Sequence, residues 1–424
     1  MQCAAVMRTL LSALCVVSLF TACATQEPGA LSQSAKERIT TAAPAQHVTQ
    51  SADALNELGF DIYKKLASQD GNIAFSPWSI DTALALTYPG ARTTTADEMR
   101  STMHISLPDA EFHRSMNDLS RSIDARAGNG LAADGGPLRL RTTNQLFVDD
   151  SMTLLPDFLD VLAQEYGAGV RRVNFVEQPE VSRVAINDWV KVETETLIPE
   201  LLPKGIITPD TKLTLVNALY FNAAWKQPFD KSASQPGLFT KRDGTRTSAT
   251  MMNNFNAPSR YAKLNGVEAL ELPYSGDQLG LLILAPEVGQ LASFEQSLSA
   301  SVVTNFVNAL DAEHTRGVSV PRFEARSQAR LDEVLKTLGM QLAFTGEADL
   351  SGIDGKPGLY ISAVIHEAVV KVTEAGTEAA AATAVVVGRD SVPAFEVMID
   401  RPFVYLVRDR ATGVVLFAGR IVAP

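Results

Sequence analysis

The chain has 424 residues, of which 46% are hydrophobic, and this length is enough to bury a sizeable core. Its formal net charge is −11 at pH 7. That acidic balance excludes nucleic acid as a partner and direct attraction to anionic lipid, because both require basic patches.

The N-terminus has the layout of a signal peptide over residues 1–22. One basic residue, Arg8, precedes an apolar run at residues 10–20 that is too short for a comfortable membrane span. The segment ends in LFTAC at residues 19–23, which resembles a bacterial lipobox. We therefore predict that Cys23 carries a lipid, which anchors an otherwise soluble, exported protein to a membrane.

The three cysteines, Cys3, Cys15 and Cys23, all lie in or at the end of this segment. The mature chain therefore has at most one thiol and no internal disulfide. Ala24, directly after Cys23, fits onward export to an outer membrane. The alternative is an ordinary secretory signal that is cut near Ala22 or Ala24 and releases a secreted protein.

Residues 23–50 predict a flexible tether, because they are rich in Ala, Thr, Ser, Gln and Pro and have little apolar periodicity. No comparable linker follows in the sequence. Residues 51–424 are therefore expected to form one large domain rather than two.

Helical and strand patterns follow one another from residue 51 onward without a βαβ alternation, which indicates an α+β class. In chain order they predict helix 52–66, strand 72–75, helix 80–86, helix 92–103, helix 112–123, strand 138–148, helix 156–166, strand 170–175, helix 182–197, strand 212–221, strands 251–257, 269–273 and 279–285, helix 294–310, strand 318–323, helix 331–338 and strand 361–371. The three strands within 251–285 predict a second sheet.

The sequence carries none of the motifs typical of an enzyme site. It lacks a GxSxG elbow, a P-loop, an HExxH pair and a CxxC pair, and its five histidines are scattered. His366 is followed by Glu367 but by no second histidine, and a lone histidine in an apolar strand is usually a satisfied core residue. We therefore assign no catalytic residue, no metal site and no cofactor, and we do not expect an enzyme.

One stretch, KVTEAGTEAAAATAVVVGRDS at residues 371–391, suits two conformations. Its Ala and Glu content favours a surface helix. A β-strand fits equally well, because the residues on each of its two alternating sides are small or β-branched. A segment that lies exposed in one state and enters the middle of a sheet in another needs this composition, because bulky, charged or proline residues would block its insertion between two paired strands.

Five blocks of the sequence, taken together, resemble the serpin family. They are NIAFSPWSI at 72–80, LVNALYF at 215–221 with Trp225 and Phe229, ADLSGI at 348–353, VIHEA at 364–368, and EAGTEAAAATA at 374–384 followed by RPFVYL at 401–406 and GVVLFAG at 413–419. The resemblance runs from about residue 51 to the C-terminus. It implies the serpin fold: a large mixed β-sheet with smaller sheets, about eight or nine helices, and an exposed reactive-centre loop.

The resemblance also implies roles for particular residues. The hinge of the loop would comprise Glu374, Gly376, Thr377, Glu378, Ala379, Ala380, Ala381 and Ala382. Ser76, Ser79, Asn217 and His366 would form a shutter beneath the main sheet, although capping is the usual role of serine where Ser76 and Ser79 stand. Trp225 would pack where the loop first enters the sheet.

The function that the resemblance implies is inhibition of serine proteases by a suicide mechanism. The protease cuts the loop and becomes acyl-linked to it, and the freed upstream half inserts into the main sheet as a new strand. The partner would be the target protease in a covalent complex, and we expect the inhibitor to be a monomer. The alternative is a non-inhibitory serpin that acts as a binding protein or chaperone, but its hinge would typically carry bulky, charged or proline residues.

The position of the bond that a protease would cut depends on how the loop is counted. The commonest serpin loop length, counted from Glu374, places the cut at Asp390–Ser391, and counting back from Pro402 places it after Ser391. The side-chain charge of Arg389 favours a cut at Arg389–Asp390 instead, because trypsin-like proteases require a cation in their specificity pocket.

We therefore predict a trypsin-like target that reads Arg389. Val386 and Val387 offer an alternative bait to elastase-like or subtilisin-like proteases. Cysteine proteases are a further alternative class of target.

Overall fold

The computed structural model describes residues 27–377 and 395–424, which form ten α-helices and sixteen strands. The helices are α1 Ala45–Leu66, α2 Pro77–Thr87, α3 Thr93–Thr102, α4 Asp109–Asp124, α5 Pro156–Val161, α6 Pro179–Glu193, α7 Leu291–Ser297, α8 Ala300–Ala309, α9 Leu331–Leu338 and α10 Ser351–Asp354. The strands are β1 Ala30–Ser32, β2 Ile73–Phe75, β3 Arg139–Asp149, β4 Val170–Val173, β5 Leu213–Ala224, β6 Gln235–Thr240, β7 Arg246–Leu264, β8 Val267–Pro273, β9 Leu279–Pro286, β10 His314–Pro321, β11 Phe323–Arg330, β12 Ile361–Val372, β13 Gly376–Thr377, β14 Val397–Met398, β15 Phe403–Asp409 and β16 Val415–Ile421.

The main sheet has seven strands in the order β1–β4–β3–β5–β13–β12–β11, and it mixes parallel with antiparallel pairs. β5 and β12 pair directly and in parallel from the Leu213–Ile361 pair to the Ala218–Glu367 pair. Near the other end of β5 they are separated by β13. We call the line of contact between β5 and β12 the seam, the end of the sheet at β13 the hinge end, and the end at Leu213 the far end.

The second sheet has nine strands, of which β14–β10–β7–β8–β9–β15–β16–β2 form one continuous path and β6 pairs with β7. The 19-residue strand β7 joins its two parts, because it pairs with β6 over residues 246–251, with β10 over residues 251–259 and with β8 over residues 260–264. α2 packs on β3 and β5 of the main sheet and on β16 of the second, and all of its residues are buried. This helix therefore lies in the core, directly behind the main sheet.

The α+β class and the mixed main sheet are confirmed, but there are ten α-helices in the described residues rather than eight or nine. One reason is that the single helix predicted over 294–310 is two helices, α7 and α8. Leu298 leaves the helical conformation, and Ser299 begins α8 by accepting a hydrogen bond from the Val302 amide at 3.1 Å. A serine cap inside an apolar periodic pattern thus ends one helix and begins the next.

Residues 27–50 do not form the flexible tether that their composition predicted. β1 pairs with β4 at the edge of the main sheet, and α1 already begins at Ala45. Between them, Arg38 Nε donates to Asn117 Oδ1 at 2.9 Å and the Ala43 amide donates to Asp118 Oδ2 at 3.0 Å. Much of this docking uses backbone and polar side-chain hydrogen bonds, which leave no apolar period in the sequence.

Within residues 27–377 and 395–424, none of the helices combines the length and the apolar character that a membrane crossing requires.

Candidate functional site

The start of the predicted hinge lies inside the main sheet. Gly376 and Thr377, the two residues of β13, pair with Ala224 and Ala223 of β5, and Thr377 also pairs with Val372 of β12. Thr377 is 2% exposed. Glycine is required at 376 because a Cβ atom there would lie 2.0 Å from the Ala223 carbonyl oxygen.

Trp225 is bound directly to the hinge end of the sheet. Its indole Nε1 donates to the Thr373 carbonyl at 2.9 Å, and its ring stacks on Tyr274 with centroids 4.7 Å apart. The Tyr274 hydroxyl is hydrogen-bonded to Thr377 Oγ1 at 2.5 Å. Burial raises the pKa of Tyr274, so its phenol stays protonated and can keep this contact. The pair of aromatic rings thus holds both the residue before the hinge turn and the residue after it.

Glu374 fixes the chain just before it enters the sheet. Its buried carboxylate accepts hydrogen bonds from Ser234 Oγ at 2.8 Å and from the Arg322 guanidinium, and its backbone carbonyl accepts from the Phe229 amide at 2.8 Å. Burial by itself would raise the pKa of Glu374, but the hydrogen bonds from Arg322 and Ser234 outweigh burial and hold this pKa below its usual value. Glu374 is therefore ionised at neutral pH.

His366, Asn217 and Ser76 meet at the seam. His366 and Asn217 are register partners on β12 and β5. The Ser76 amide donates to His366 Nε2 at 2.9 Å, so the ring proton is on Nδ1, which donates to Asn217 Oδ1 at 2.5 Å. Burial lowers the pKa of His366 to about 3, and the ring is neutral. A side-chain hydrogen bond thus joins β5 to β12 behind the sheet.

Ser76 and Ser79 link this group to α2 and β3. Ser76 Oγ accepts from the Ser79 amide at 3.0 Å, which is the capping contact expected at the start of α2. Ser79 Oγ donates to Asn144 Oδ1 at 2.8 Å. The side-chain nitrogens of Asn144 and Asn217 are buried without a hydrogen-bond partner. Buried donors of this kind cost free energy in the present arrangement.

The remaining predicted site residues lie outside the described residues. They are Cys23, Glu378, Ala379, Ala380, Ala381, Ala382, Arg389, Asp390 and Ser391.

Sequence reasoning missed Tyr274, Arg322, Ser234 and Asn144, although each contacts a predicted site residue. Tyr274 follows a predicted strand, and Arg322 lies inside one. Their partners are between 52 and 140 residues away along the chain, so local patterns carry no signal for these contacts. Asn144 stands on the side of the predicted strand 138–148 that carries Leu138, Leu140 and Leu146, and a polar residue on that apolar side was a signal that could have been used.

No group of three or more His, Cys, Asp or Glu side chains suited to a metal ion occurs in the parts of the chain that the structure covers. What the site offers is a set of strand pairings and hydrogen bonds that hold β13 between β5 and β12.

Comparisons with known proteins agree with this arrangement. The family model described as "Serpin (serine protease inhibitor)" matches residues 53–424. The chain is 36% identical over 386 residues to a leukocyte elastase inhibitor of Bos taurus, with 88% of this chain and 100% of that protein covered. It is 34% identical over 377 residues to a serpin-like protein of Thermococcus kodakarensis, with 88% and 85% covered.

The fold is similar to that of the thermophilic serpin tengpin in its native state, with a TM-score of 0.80 at 22% sequence identity. That match covers 93% of this chain and 100% of tengpin. A family match over residues 53–424, relatives above 30% identity and the shared fold lead to one conclusion: this chain is a member of the serpin family.

Proposed function

We propose that the protein inhibits serine proteases as a suicide substrate rather than acting as an enzyme. The catalytic serine of the protease attacks the carbonyl of the scissile bond in the loop after β13. The peptide bond breaks as an acyl ester forms between that serine and the upstream part of the loop. This upstream part then inserts between β5 and β12. The protease is trapped because insertion is faster than hydrolysis of the acyl ester, and the burial that follows makes insertion effectively irreversible.

The observation that carries this proposal is the position of β13 in the sheet. Thr377 is antiparallel to β5 and opposite Ala223, so continued insertion in this register places Ala379 opposite Phe221 and Thr383 opposite Asn217. The residues that would follow Thr377 into the sheet are small or β-branched along this face, which suits a strand buried on both sides. Below β13, β5 and β12 pair directly and would have to part.

Parting the seam has an identifiable cost at the shutter. Inserting a strand moves β5 and β12 from about 4.8 Å apart to about twice that distance. The hydrogen bond from His366 to Asn217 spans this gap and would break. Thr383, which would arrive opposite Asn217, carries a hydroxyl that can accept from the unpartnered Asn217 nitrogen. The neutral His366 can lose its partner at a lower cost than a charged group would.

The target we propose is a trypsin-like protease that reads Arg389 and cuts Arg389–Asp390, with Asp390–Ser391 as the alternative bond. The second candidate is an elastase-like protease that reads Val386 or Val387. The name of the bovine relative, leukocyte elastase inhibitor, favours this second candidate. We further propose that the protein is exported and that a lipid on Cys23 anchors it to a membrane.

A protease panel followed by denaturing gel electrophoresis tests the mechanism. Trypsin and elastase are each incubated with the protein, and we expect a covalent complex with trypsin. Thr377→Arg should yield cleaved fragments only, because a charge at a buried strand position slows insertion. Fragments alone from the unaltered protein with every protease would contradict inhibition, and a complex with elastase alone would move the target to the second candidate.

Mass spectrometry of the C-terminal fragment released from the complex locates the bond. A fragment that starts at Asp390 supports the proposed cut, whereas one that starts at Gly388 or Ser391 rules it out. As a matched test, Arg389→Ala should abolish the complex with trypsin.

A further inference from the structure

The segment that follows α6 crosses the main sheet over the seam. Residues 194–202, which we call the crossing segment, contribute three apolar side chains to a cluster that also contains residues of β5 and β12. The members from these three elements are Ile198, Leu201, Leu202, Val216, Ala218, Ala363 and Ile365. Asn217, which lies between two of them in β5, is linked through His366 to Ser76 at the start of α2. Because successive side chains of a strand point to opposite faces, the crossing segment covers the face of the seam that α2 does not.

On one side of the seam, α6 holds the crossing segment by buried hydrogen bonds. α6 itself packs on β3, which is next to β5 in the sheet. Asn187 Oδ1 accepts from the Leu201 and Leu202 amides at 3.0 and 2.8 Å, and its Nδ2 donates to the Leu202 carbonyl at 2.9 Å. Arg183 donates to the same carbonyl at 2.6 Å. The chain also enters the crossing segment from α6 and continues to β5, so both covalent connections lie on the β5 side.

On the other side of the seam, β11 holds the crossing segment with two long side chains. Arg326 Nη2 donates to the Leu197 carbonyl at 2.7 Å, and Gln328 Nε2 donates to the Leu201 carbonyl at 2.8 Å. Both residues occupy exposed positions of β11. Water competes for such hydrogen bonds, so they hold the crossing segment less firmly than the buried hydrogen bonds to α6 do.

We propose that Arg326 and Gln328 form a latch that keeps the seam closed and that opens when a strand inserts. The inference rests on the loop insertion that the proposed function includes. An inserted strand moves β12, together with β11, about 4.8 Å further from β5. The two hydrogen bonds of the latch do not survive a displacement of this size. The crossing segment therefore stays with α6 and is released by β11, to which it has fewer and more exposed hydrogen bonds and no covalent connection.

Arg326 is suited to a hydrogen bond that must open. Its guanidinium also binds the carboxylate of Glu367 on β12, which is 4% exposed. β11 pairs with β12 along its whole length, so the two strands move together and this ion pair stays intact. The buried carboxylate of Glu367 is therefore not left without a counter-charge when the latch opens. Gln328 is neutral, and its amide can bind water instead.

Gln328→Ala tests the latch in the full chain, because it removes one of the two hydrogen bonds and no charge. Loss of one hydrogen bond should make opening of the seam roughly fivefold more frequent. We expect amide hydrogen exchange in residues 361–367 of the uncut protein to become faster by that factor. In protein whose loop has been cut by a protease other than the target, the latch is already open, and the substitution should change nothing. A merely structural role of Gln328 would affect both forms alike.

Glu324→Ala is the matched control for this substitution. Glu324 lies on the same strand as Gln328 and, four residues away, on the same side of it. Its ion-pair partner is Lys371 of β12 rather than the crossing segment. Glu324→Ala should therefore leave amide exchange at the seam unchanged in the uncut protein.

A reversible crosslink tests whether the latch must open before a protease is trapped. Gln328 Nε2 lies 3.5 Å from the Glu200 carbonyl oxygen, so Glu200→Cys and Gln328→Cys bring two thiols within reach of a short disulfide-containing crosslinker. The protease used is the one that forms a covalent complex with the unaltered protein. We expect the crosslinked protein to yield only cleaved fragments, because the crossing segment cannot leave β11 and the acyl ester is hydrolysed. Reduction of the crosslinker should restore the complex.

Two results would overturn the latch while the proposed function stands. One is a covalent complex from the crosslinked protein before reduction, and the other is an equal effect of Gln328→Ala on exchange in the uncut and cut forms. Failure of the unaltered protein to form a complex with any protease would overturn the proposed function, and the latch with it.

Discussion

A single neutral histidine adds a side-chain hydrogen bond across the seam of this sheet, beside the backbone pairing of β5 and β12. His366 accepts from the Ser76 amide and donates to Asn217, so it links β2, α2, β5 and β12 without carrying a charge. A protonated ring could not accept from Ser76, and it would be buried without a counter-charge. The state of this one side chain is therefore coupled to the stability of the sheet at the place where a strand would insert.

Stability should fall as the pH is lowered from about 6.5 towards 3. In the unfolded chain His366 takes up a proton near its ordinary pKa of 6.5, whereas the folded protein, whose pKa is about 3, does not. Protonation therefore favours the unfolded state across this window, by up to about 1.4 kcal/mol per pH unit. His366→Gln keeps a donor and an acceptor but does not titrate, so it should show a shallower slope in urea unfolding.

Two other buried groups make the comparison with the variant necessary. Burial lowers the pKa of His113 to about 4, which adds a slope of the same sign. Burial also raises the pKa of Asp81 to about 8, so stability from this group is lost as the pH rises from about 4 towards 8. The difference between the unaltered protein and His366→Gln isolates the histidine, and identical slopes would contradict its assigned protonation state.

At the scale of elements, the described part of β13, Gly376–Thr377, is held by several contacts. It pairs with both β5 and β12. Its own residue Thr377 is hydrogen-bonded to Tyr274, and Glu374, two residues before β13, is hydrogen-bonded to Arg322. The turn before it is closed by the Thr373 amide, which donates to the Gly376 carbonyl at 2.8 Å. The hinge therefore enters the sheet from a fixed position.

Gly376→Ala should expel β13 from the sheet, because the new Cβ atom would meet the backbone of β5. We expect faster amide hydrogen exchange in β5 and β12 at the hinge end and a loss of stability of about 1 kcal/mol for each pairing hydrogen bond. Gly346→Ala is the matched control, since nothing lies within 4 Å of its Cβ position. Unchanged exchange in Gly376→Ala, at the level of this control, would show that β13 tolerates a side chain there.

At the scale of the whole molecule, β5 and β12 of the main sheet pair directly over residues 213–218 and 361–367, where our proposal would insert a further strand. β5 and β12 part towards the hinge end, where the described part of β13, Gly376–Thr377, lies between them. A complete strand in that place would add backbone pairs along most of β5 and bury the face that begins with Thr377. On the mechanism that we propose, the uncut protein is held kinetically rather than by the lowest free energy.

Cutting the loop with a protease that is not the target should therefore raise the melting temperature sharply. The uncut and cut proteins are compared by thermal unfolding under the same conditions. The cut Thr377→Arg variant serves as the control, and its melting temperature should rise less because the charge opposes insertion. Equal melting temperatures for cut and uncut protein would rule out insertion of the loop.

The candidate site residues were named from the resemblance to serpins, and local patterns in the sequence support that choice. The buried polar residues Asn217 and His366 stand within apolar strands, and the small residues after Glu374 alternate with period two. The prediction of a flexible tether was wrong for residues 27–44, because they are hydrogen-bonded to β4 and α4 and composition does not encode such hydrogen bonds. β6 and β11 were also missed, because their sequences are too polar to read as buried strands.

By itself the sequence determined the family, the α+β class, the small residues of the loop and the absence of known catalytic motifs, because these depend on residue types at short spacing. Only the tertiary structure decided that β13 already separates β5 from β12, that Tyr274 and Arg322 hold it, and that Glu27 and Gly29 line a groove beside α6. These contacts join residues far apart in the chain, and their partners are chosen by how the sheet and helices pack rather than by any local preference.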